Sequence, residues 1–390
     1  MLVCMRNPFE FGRELDAGEL VDRADEVNAV VAAVMDAGKL FLIGPRRYGK
    51  TSILHAASER ATEGGAVVLR YNAEAFPTLE QLAAAIVADT ASRLTSTMDK
   101  AAQALSSFFA RVRPTASFDP VHHTLSVSFA RGADQPTGVP LLAEVLDGAD
   151  RAAGKAERPV GILLDEFQQI VESGGAEAEG QIRAAVQQHR HIGYVFAGSD
   201  TRLLADMTSA PNRPFYKLGL VRSVGPVPRD EFAQFLERGF LKGGIAIGQG
   251  AIDAILDVSE EVPYNVQLLA HACWEACRED GTRRPAPLAP DRVQAAARIA
   301  ALRNDPLYTQ LWTSLPVTQR KALLALVRER GQGMASADVA ARYDIPVASM
   351  QTALRALEQK TIVREEHHRG VTRLRLEDPL FATWLAAVVP

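Results

Sequence analysis

The chain has 390 residues, 47% apolar and 23% charged, with a formal net charge of −4. This composition excludes a disordered chain and a uniformly basic nucleic-acid coat, and the length predicts about two or three domains. Three cysteines cannot build a disulfide framework, and no apolar run approaches the about 18 residues of a membrane span. The expectation is a cytoplasmic protein without membrane contact.

Residues 1–20 are irregular, and a helix then opens at Val21. Its apolar positions Val27, Val30, Val31 and Val34 follow helical spacing, with Asp22 as the expected N-cap. Leu40–Ile43 is a short apolar run of strand length. It leads into Gly44-Pro45-Arg46-Arg47-Tyr48-Gly49-Lys50-Thr51, followed by the helix formers Ser52–Glu59. This is G-x-x-x-x-G-K-[ST] between a strand and a helix, the context in which the motif cradles a nucleoside triphosphate. Backbone N–H groups and the helix N-terminus face the phosphates. Gly49 permits close approach, Lys50 reaches the β- and γ-phosphates, and the Thr51 hydroxyl ligates Mg²⁺. The preceding helix has two readings: its N-terminal approach flanks the adenine, or it is simply packed.

Ala66–Tyr71 reads as a second buried strand and Leu79–Leu94 as a helix. From Thr95 to Gly138 only a helical Ala101–Val112 is legible, and His122-His123 read as surface or packing residues. A helix follows at Leu141–Ala153. Val160–Leu164 is an apolar run ending in Asp165-Glu166, which puts two carboxylates at the C-terminal tip of a buried strand. Asp165 is expected to hold Mg²⁺ and Glu166 to polarise the attacking water. After a helix at Ala178–His189, Gly193–Ser199 is a third strand-like run. Ser199 or Asp200 at its tip either senses the γ-phosphate or merely ends the strand. Lys217–Pro226 supplies a last strand, completing an α/β pattern with a mostly parallel sheet.

From Arg229 the texture is helical: Arg229–Leu241, Gly250–Ser259, Tyr264–Arg278 and Asp291–Leu302. Cys273 and Cys277, four apart on one helix, read as packed thiols rather than a metal site. Gly243-Gly244 and Gly248-x-Gly250 are turns, since no strand precedes them. Beyond Pro306 the layout is helix-turn-helix: Thr318–Arg328, a capped helix at Ser336–Tyr343, a turn, and Val347–Lys360. Thr361–Glu365 and Thr372–Leu376 read as a hairpin wing. Residues 306–390 carry 11 Lys+Arg against 8 Asp+Glu, whereas the remainder is net −7; the contrast leans weakly toward nucleic acid. Arg355, Lys360, Arg369, Arg373 and Arg375 form a basic wing and helix, with Glu358, Glu365 and Glu366 among them. DNA reading and protein docking both stand.

The chain resembles the archaeal-type ATPase family, a branch of P-loop ATPases near the AAA+ and STAND groups. The carriers are Val21-Asp22-Arg23 with Glu26, Gly44–Thr51, Leu163-Leu164-Asp165-Glu166, and Phe196-Ala197-Gly198-Ser199. Val262-Pro263-Tyr264-Asn265 stands opposite the family's Gly-x-Pro signature, and the ending is Asp378–Leu385. The resemblance implies a five-strand AAA+-like ASCE core over 1–226, a helical lid over 227–305 and a winged helix-turn-helix over 306–390. ATP lies on Gly44–Ser52, Mg²⁺ on Thr51 and Asp165, and Lys50, Glu166 and Ser199 serve catalysis. Two departures stand out. Glu261 replaces the lid glycine, and no arginine falls on a second sensor position. Arg202, Arg213 and Arg222 read as solvated surface arginines, with action in trans on a neighbouring subunit as the other reading. The implied function is a Mg²⁺-dependent ATPase whose nucleotide state controls lid and winged helix, acting on DNA or a protein partner. The alternative is a slow-turnover signalling or defence switch with the winged helix as docking module. A homo-oligomer fits either.

Overall fold

Short runs buried on both faces build the centre of the first part of the chain, the pattern expected of a parallel sheet covered by helices. In this computed structural model residues 6–95, 105–119, 124–129, 136–175, 177–279, 287–334, 336–368 and 371–389 are described; His122 and His123 lie outside them. The chain divides into two compact units, Glu14–Gly225, and Met1–Arg13 with Pro226–Pro390.

In the Glu14–Gly225 unit the elements run α1 (Ala24–Met35), β1 (Lys39–Ile43), α2 (Lys50–Glu63), β2 (Val67–Asn72) and α3 (Leu79–Arg93). An antiparallel hairpin follows, β3 (Pro114–Asp119) and β4 (Thr124–Phe129), and then α4 (Gly138–Ala153) and β5 (Val160–Asp165). The unit closes with α5 (Gln168–Gly174), α6 (Ala178–Val186), β6 (Ile192–Gly198), α7 (Thr201–Ser209) and β7 (Leu220–Ser223). The main sheet is parallel throughout in the order β2-β5-β6-β1-β7. One strand, β6, therefore separates the loop-bearing β1 from the acid-tipped β5. Because all five strands point the same way, the segments after β1, β5 and β6 emerge on one edge, where such sheets bind ligands.

Residues alternate between the two faces of each strand. Phe41, Ile162, Tyr194 and Phe196 join one core with α3 and α4. Phe41 and Phe196 stack at 5.0 Å between centroids, and Phe167 and Phe215 close around them. The opposite face of β5 and β6 presents the register partners Gly161 and Gly193. A Cβ on Gly193 would lie 2.2 Å from the Ala33 carbonyl oxygen, so these glycines let α1 rest directly on the sheet. The expected cap at Asp22 is not made. Arg23 occupies the N-cap position, and Asp22 lies left-handed at φ 49°. The buried Arg23 guanidinium donates to the Gly225 carbonyl (2.6 Å), and this anchor sets how the chain enters α1.

The second unit contains α8 (Arg229–Lys242), α9 (Gln249–Ser259), α10 (Pro263–Glu279), α11 (Pro290–Arg303) and α12 (Asp305–Ser314). The winged-helix layout follows: α13 (Val317–Arg328), α14 (Ala337–Arg342), α15 (Val347–Gln359), the hairpin β8 (Val363–His368) and β9 (Val371–Leu376), and α16 (Pro379–Val388). Ser336 caps α14 through the Val339 N–H (3.3 Å). Tyr308, Phe381 and Trp384 pack together, and Trp384 Nε1 donates to Asp305 (2.8 Å). Cys273 and Cys277 are buried free thiols, and burial pushes Cys273 above its ordinary pKa. Phe9 sits among Phe235 and Phe240 at 5.9 and 4.7 Å, fixing residues before Glu14 to this unit. Among the described residues no helix is long and apolar enough to cross a membrane.

Candidate functional site

The loop between β1 and α2 is shaped by three backbone features. Gly44 passes against Val224, where a Cβ would lie 2.7 Å from both the valine Cβ and its carbonyl oxygen. Arg47 and Gly49 are left-handed at φ 68° and 88°. Gly49 is the N-cap of α2 and has no side chain to cap it, so the helix N-terminus opens into the loop. Left-handed residues of this kind turn successive N–H groups into an anion-binding concavity, which the helix dipole reinforces. Pro45 is half-buried, Arg46 and Arg47 are exposed, and Tyr48 and Lys50 are buried. The Lys50 ammonium donates to the Pro45 carbonyl inside the same loop (3.0 Å).

Residues far apart in sequence converge on this loop. The Thr51 hydroxyl donates to Asp165 Oδ2 at 2.8 Å, while Asp165 Oδ1 accepts the Glu166 N–H at 3.0 Å. Asp165 is 2% exposed. Burial, with the Glu166 charge, pushes its carboxyl above the ordinary value, although the Thr51 hydroxyl and Lys50 act the other way. A hydroxyl and a desolvated carboxylate in contact supply oxygen donors suited to a hard divalent cation such as Mg²⁺.

Glu166 is left-handed at φ 50°. Its Oε2 accepts the Ser199 hydroxyl (2.7 Å), the Ser199 N–H (3.3 Å) and the Gln168 side-chain amide. Burial opposes its ionisation, but the Gln168 and Ser199 hydrogen bonds and the Lys50 charge outweigh it and hold the carboxyl below its ordinary range. Arg46 closes the ring, reaching Ser199 Oγ and Glu74 Oε1 at 3.5 Å each.

Of the expected residues, Lys50, Thr51, Asp165, Glu166 and Ser199 thus come together on one edge of the sheet. Ser52 is turned away: its hydroxyl accepts the Leu15 N–H (3.1 Å). Asp200 caps α7 through the Leu203 N–H (2.8 Å), so of the two candidates at the tip of β6 only Ser199 touches the acidic pair. Arg202 and Arg222 are exposed, whereas Arg213 is no solvated surface group but pairs with the buried Glu179. Gln168 escaped the sequence reading. Its signal was a glutamine two places after the second carboxylate, indistinguishable in sequence from an ordinary first helical turn.

In the second unit, Glu261 is left-handed at φ 58° and pairs with Arg229 at 2.6 Å. Arg229 also meets Asp253 and Asp257, and these carboxylates raise its pKa against the effect of burial. The basic wing is partly engaged: Arg375 pairs with Glu260 of the α9–α10 turn (3.2 Å), and Arg364 lies 3.9 Å from the same carboxylate. Arg355 and Lys360 at the end of α15 and Arg373 on β9 are exposed. Arg369 lies outside the described residues.

Residues 306–387 match the family model of a probable winged helix domain. Comparison with curated proteins gives no match. Among solved structures, the chain is similar to the Walker-type ATPase of Pyrococcus abyssi, with TM-score 0.59 and 16% identity over 97% of this chain and 99% of that one. It is also similar to the Aeropyrum pernix ORC2 protein, solved as ADPNP–ADP complexes, with TM-score 0.57 and 17% identity over 98% and 96%. At these identities the likeness carries the fold, and the strand order and glycine loop agree with it. The chain therefore shares the fold of these two structures, a parallel-sheet core bearing a P-loop, followed by a C-terminal winged-helix domain.

Proposed function

We propose that the protein is a Mg²⁺-dependent ATP hydrolase whose nucleotide state controls its helical and winged-helix unit. The observation that carries this is the 2.8 Å contact between Thr51 and Asp165, with Glu166 next in the chain and Lys50 one residue before Thr51. In this reading the loop N–H groups and the α2 N-terminus hold the phosphates, and Lys50 exchanges the Pro45 carbonyl for phosphate oxygens. Thr51 and Asp165 would hold Mg²⁺, which would supply positive charge to offset that developing on the transferred phosphoryl. Glu166, kept ionised by its donors, orients the water and accepts its proton. Phosphate release by the wild type and by Glu166→Gln tests the assignment. A loss of about 10²-fold or more is expected, and equal rates refute the base.

A second reading, a switch that holds ATP and turns over rarely, is favoured by one observation. Arg229 at the start of α8 is locked by three carboxylates instead of being available to a phosphate. Slow exchange of bound nucleotide supports it, and fast partner-free turnover removes it. For the winged helix we propose phosphate contacts through Arg355, Lys360 and Arg373, with Arg375 held back by Glu260. DNA affinity should then fall steeply between about 50 and 200 mM salt, and flat affinity favours docking of a protein partner or a second copy.

A further inference from the structure

The acidic pair has a third neighbour that no motif assigns. Gln168, the first residue of α5, is 3% exposed. Its side-chain nitrogen donates both to Glu166 Oε2 and to Ser199 Oγ, the latter at 3.2 Å. Its carbonyl oxygen is buried with no hydrogen-bond partner among the described residues. The amide lies over the end of β6, where a Cβ on Gly198 would meet its oxygen at 2.2 Å. A glutamine kept buried with half its amide unpartnered costs stability, since a lone buried acceptor is penalised and an apolar side chain of like shape is not. The compensation lies in what its nitrogen holds.

We propose that Gln168 is a positioning residue for Glu166, fixing one carboxylate oxygen so that the other faces the attacking water. This rests on the hydrolase reading. The three hydrogen bonds to the Glu166 carboxylate all fall on Oε2. Two come from Ser199, just past the end of β6, and one from Gln168 on α5, so the group is gripped from two directions. The remaining charges around it are Lys50 and Asp165, with Arg46 acting through Ser199.

Gln168→Met tests this, because methionine keeps the volume and removes both the donor and the unpartnered carbonyl. Gln168→Ala is the companion in case methionine packs poorly. Expected for both are an ATP KM within about twofold of wild type and kcat lower by about 10–100-fold, with little further loss when either change is combined with Glu166→Gln. The thermal midpoint of Gln168→Met should not fall below wild type. A crystal structure of Gln168→Met reads the grip without turnover: the Glu166 carboxylate, held in one orientation in the wild type, should take more than one. If Glu166 keeps a single orientation in Gln168→Met, or kcat is unaffected in both variants, Gln168 is only structural and the proposal is overturned. If the wild type shows no Glu166-dependent turnover, the hydrolase reading fails separately, and the crystal structure still decides whether Gln168 grips Glu166.

Discussion

Replacing Thr51 by valine removes one hydroxyl from the centre of the site and keeps the side-chain shape. Asp165 Oδ2 then loses its donor at 2.8 Å while remaining 2% exposed. A hydrogen bond to a buried charged group is worth about 1.5–3 kcal/mol. For a unit the size of Glu14–Gly225 each kcal/mol moves the thermal midpoint by about 2–4 °C, so Thr51→Val should melt about 3–12 °C lower at pH 7.5. Thr51→Ser, which retains the donor, should stay within about 2 °C. The sign of the pH dependence follows from Asp165, whose pKa burial has raised. The hydroxyl matters to the ionised carboxylate, so the deficit is full above the folded-state value of Asp165 and shrinks as pH falls through it. Adding Asp165→Asn to Thr51→Val should recover most of the loss. Differential scanning calorimetry without nucleotide measures all of this. Equal midpoints for the valine and serine variants, or a deficit that grows on acidification, would refute the reasoning.

Three further outcomes are expected. Gly161→Ala drives a Cβ to 2.7 and 2.9 Å from the Val34 methyls, an overpacking worth about 1–3 kcal/mol. Urea unfolding of the Gly161→Ala/Val34→Ala pair should show less loss than the sum of the singles, by about 0.5 kcal/mol or more, and strict additivity contradicts it. Glu260→Gln removes the charge facing Arg375 and Arg364; unfolding should report a loss of about 1–2 kcal/mol, discounted for partial exposure. If Arg375 is freed by that change, DNA binding at about 50 mM salt should strengthen, and an unchanged affinity removes Arg375 from the phosphate-binding set. Ser199→Ala takes the 2.7 Å hydroxyl hydrogen bond from Glu166, so the acid limb of ATP hydrolysis should move to higher pH, which a pH–rate profile checks.

The parts of this architecture that could be read from sequence share one physical cause. β1, β5 and β6 are buried on both faces, so they are largely apolar runs, and those of β1 and β5 end where the glycine loop and the carboxylates begin, whereas β2 is interrupted by Arg70. The hairpin β3–β4 was missed because Pro114–Asp119 and Thr124–Phe129 mix small polar residues with few apolar ones. Helix α7 is hidden in the sequence by polar residues at its start, where Asp200 serves as the cap. Within the site, the motif residues were legible because phosphate chemistry restricts their identity and spacing. Gln168 and the grip of Glu260 on Arg375 were not, since both depend on how separate elements meet in space. The same limit applies to Arg213: nothing local in the sequence pairs it with Glu179, 34 positions away.

The central claim is that a triphosphate and its magnesium are held together by the glycine loop and the acidic strand tip. Calorimetric titration of ATP into the full chain, with Mg²⁺ and with chelator, tests it most directly. Binding should weaken at least about tenfold when Mg²⁺ is removed, and the Mg²⁺ dependence should disappear in Thr51→Val. Equal affinity with and without Mg²⁺, unchanged by Thr51→Val or Lys50→Ala, would contradict the account.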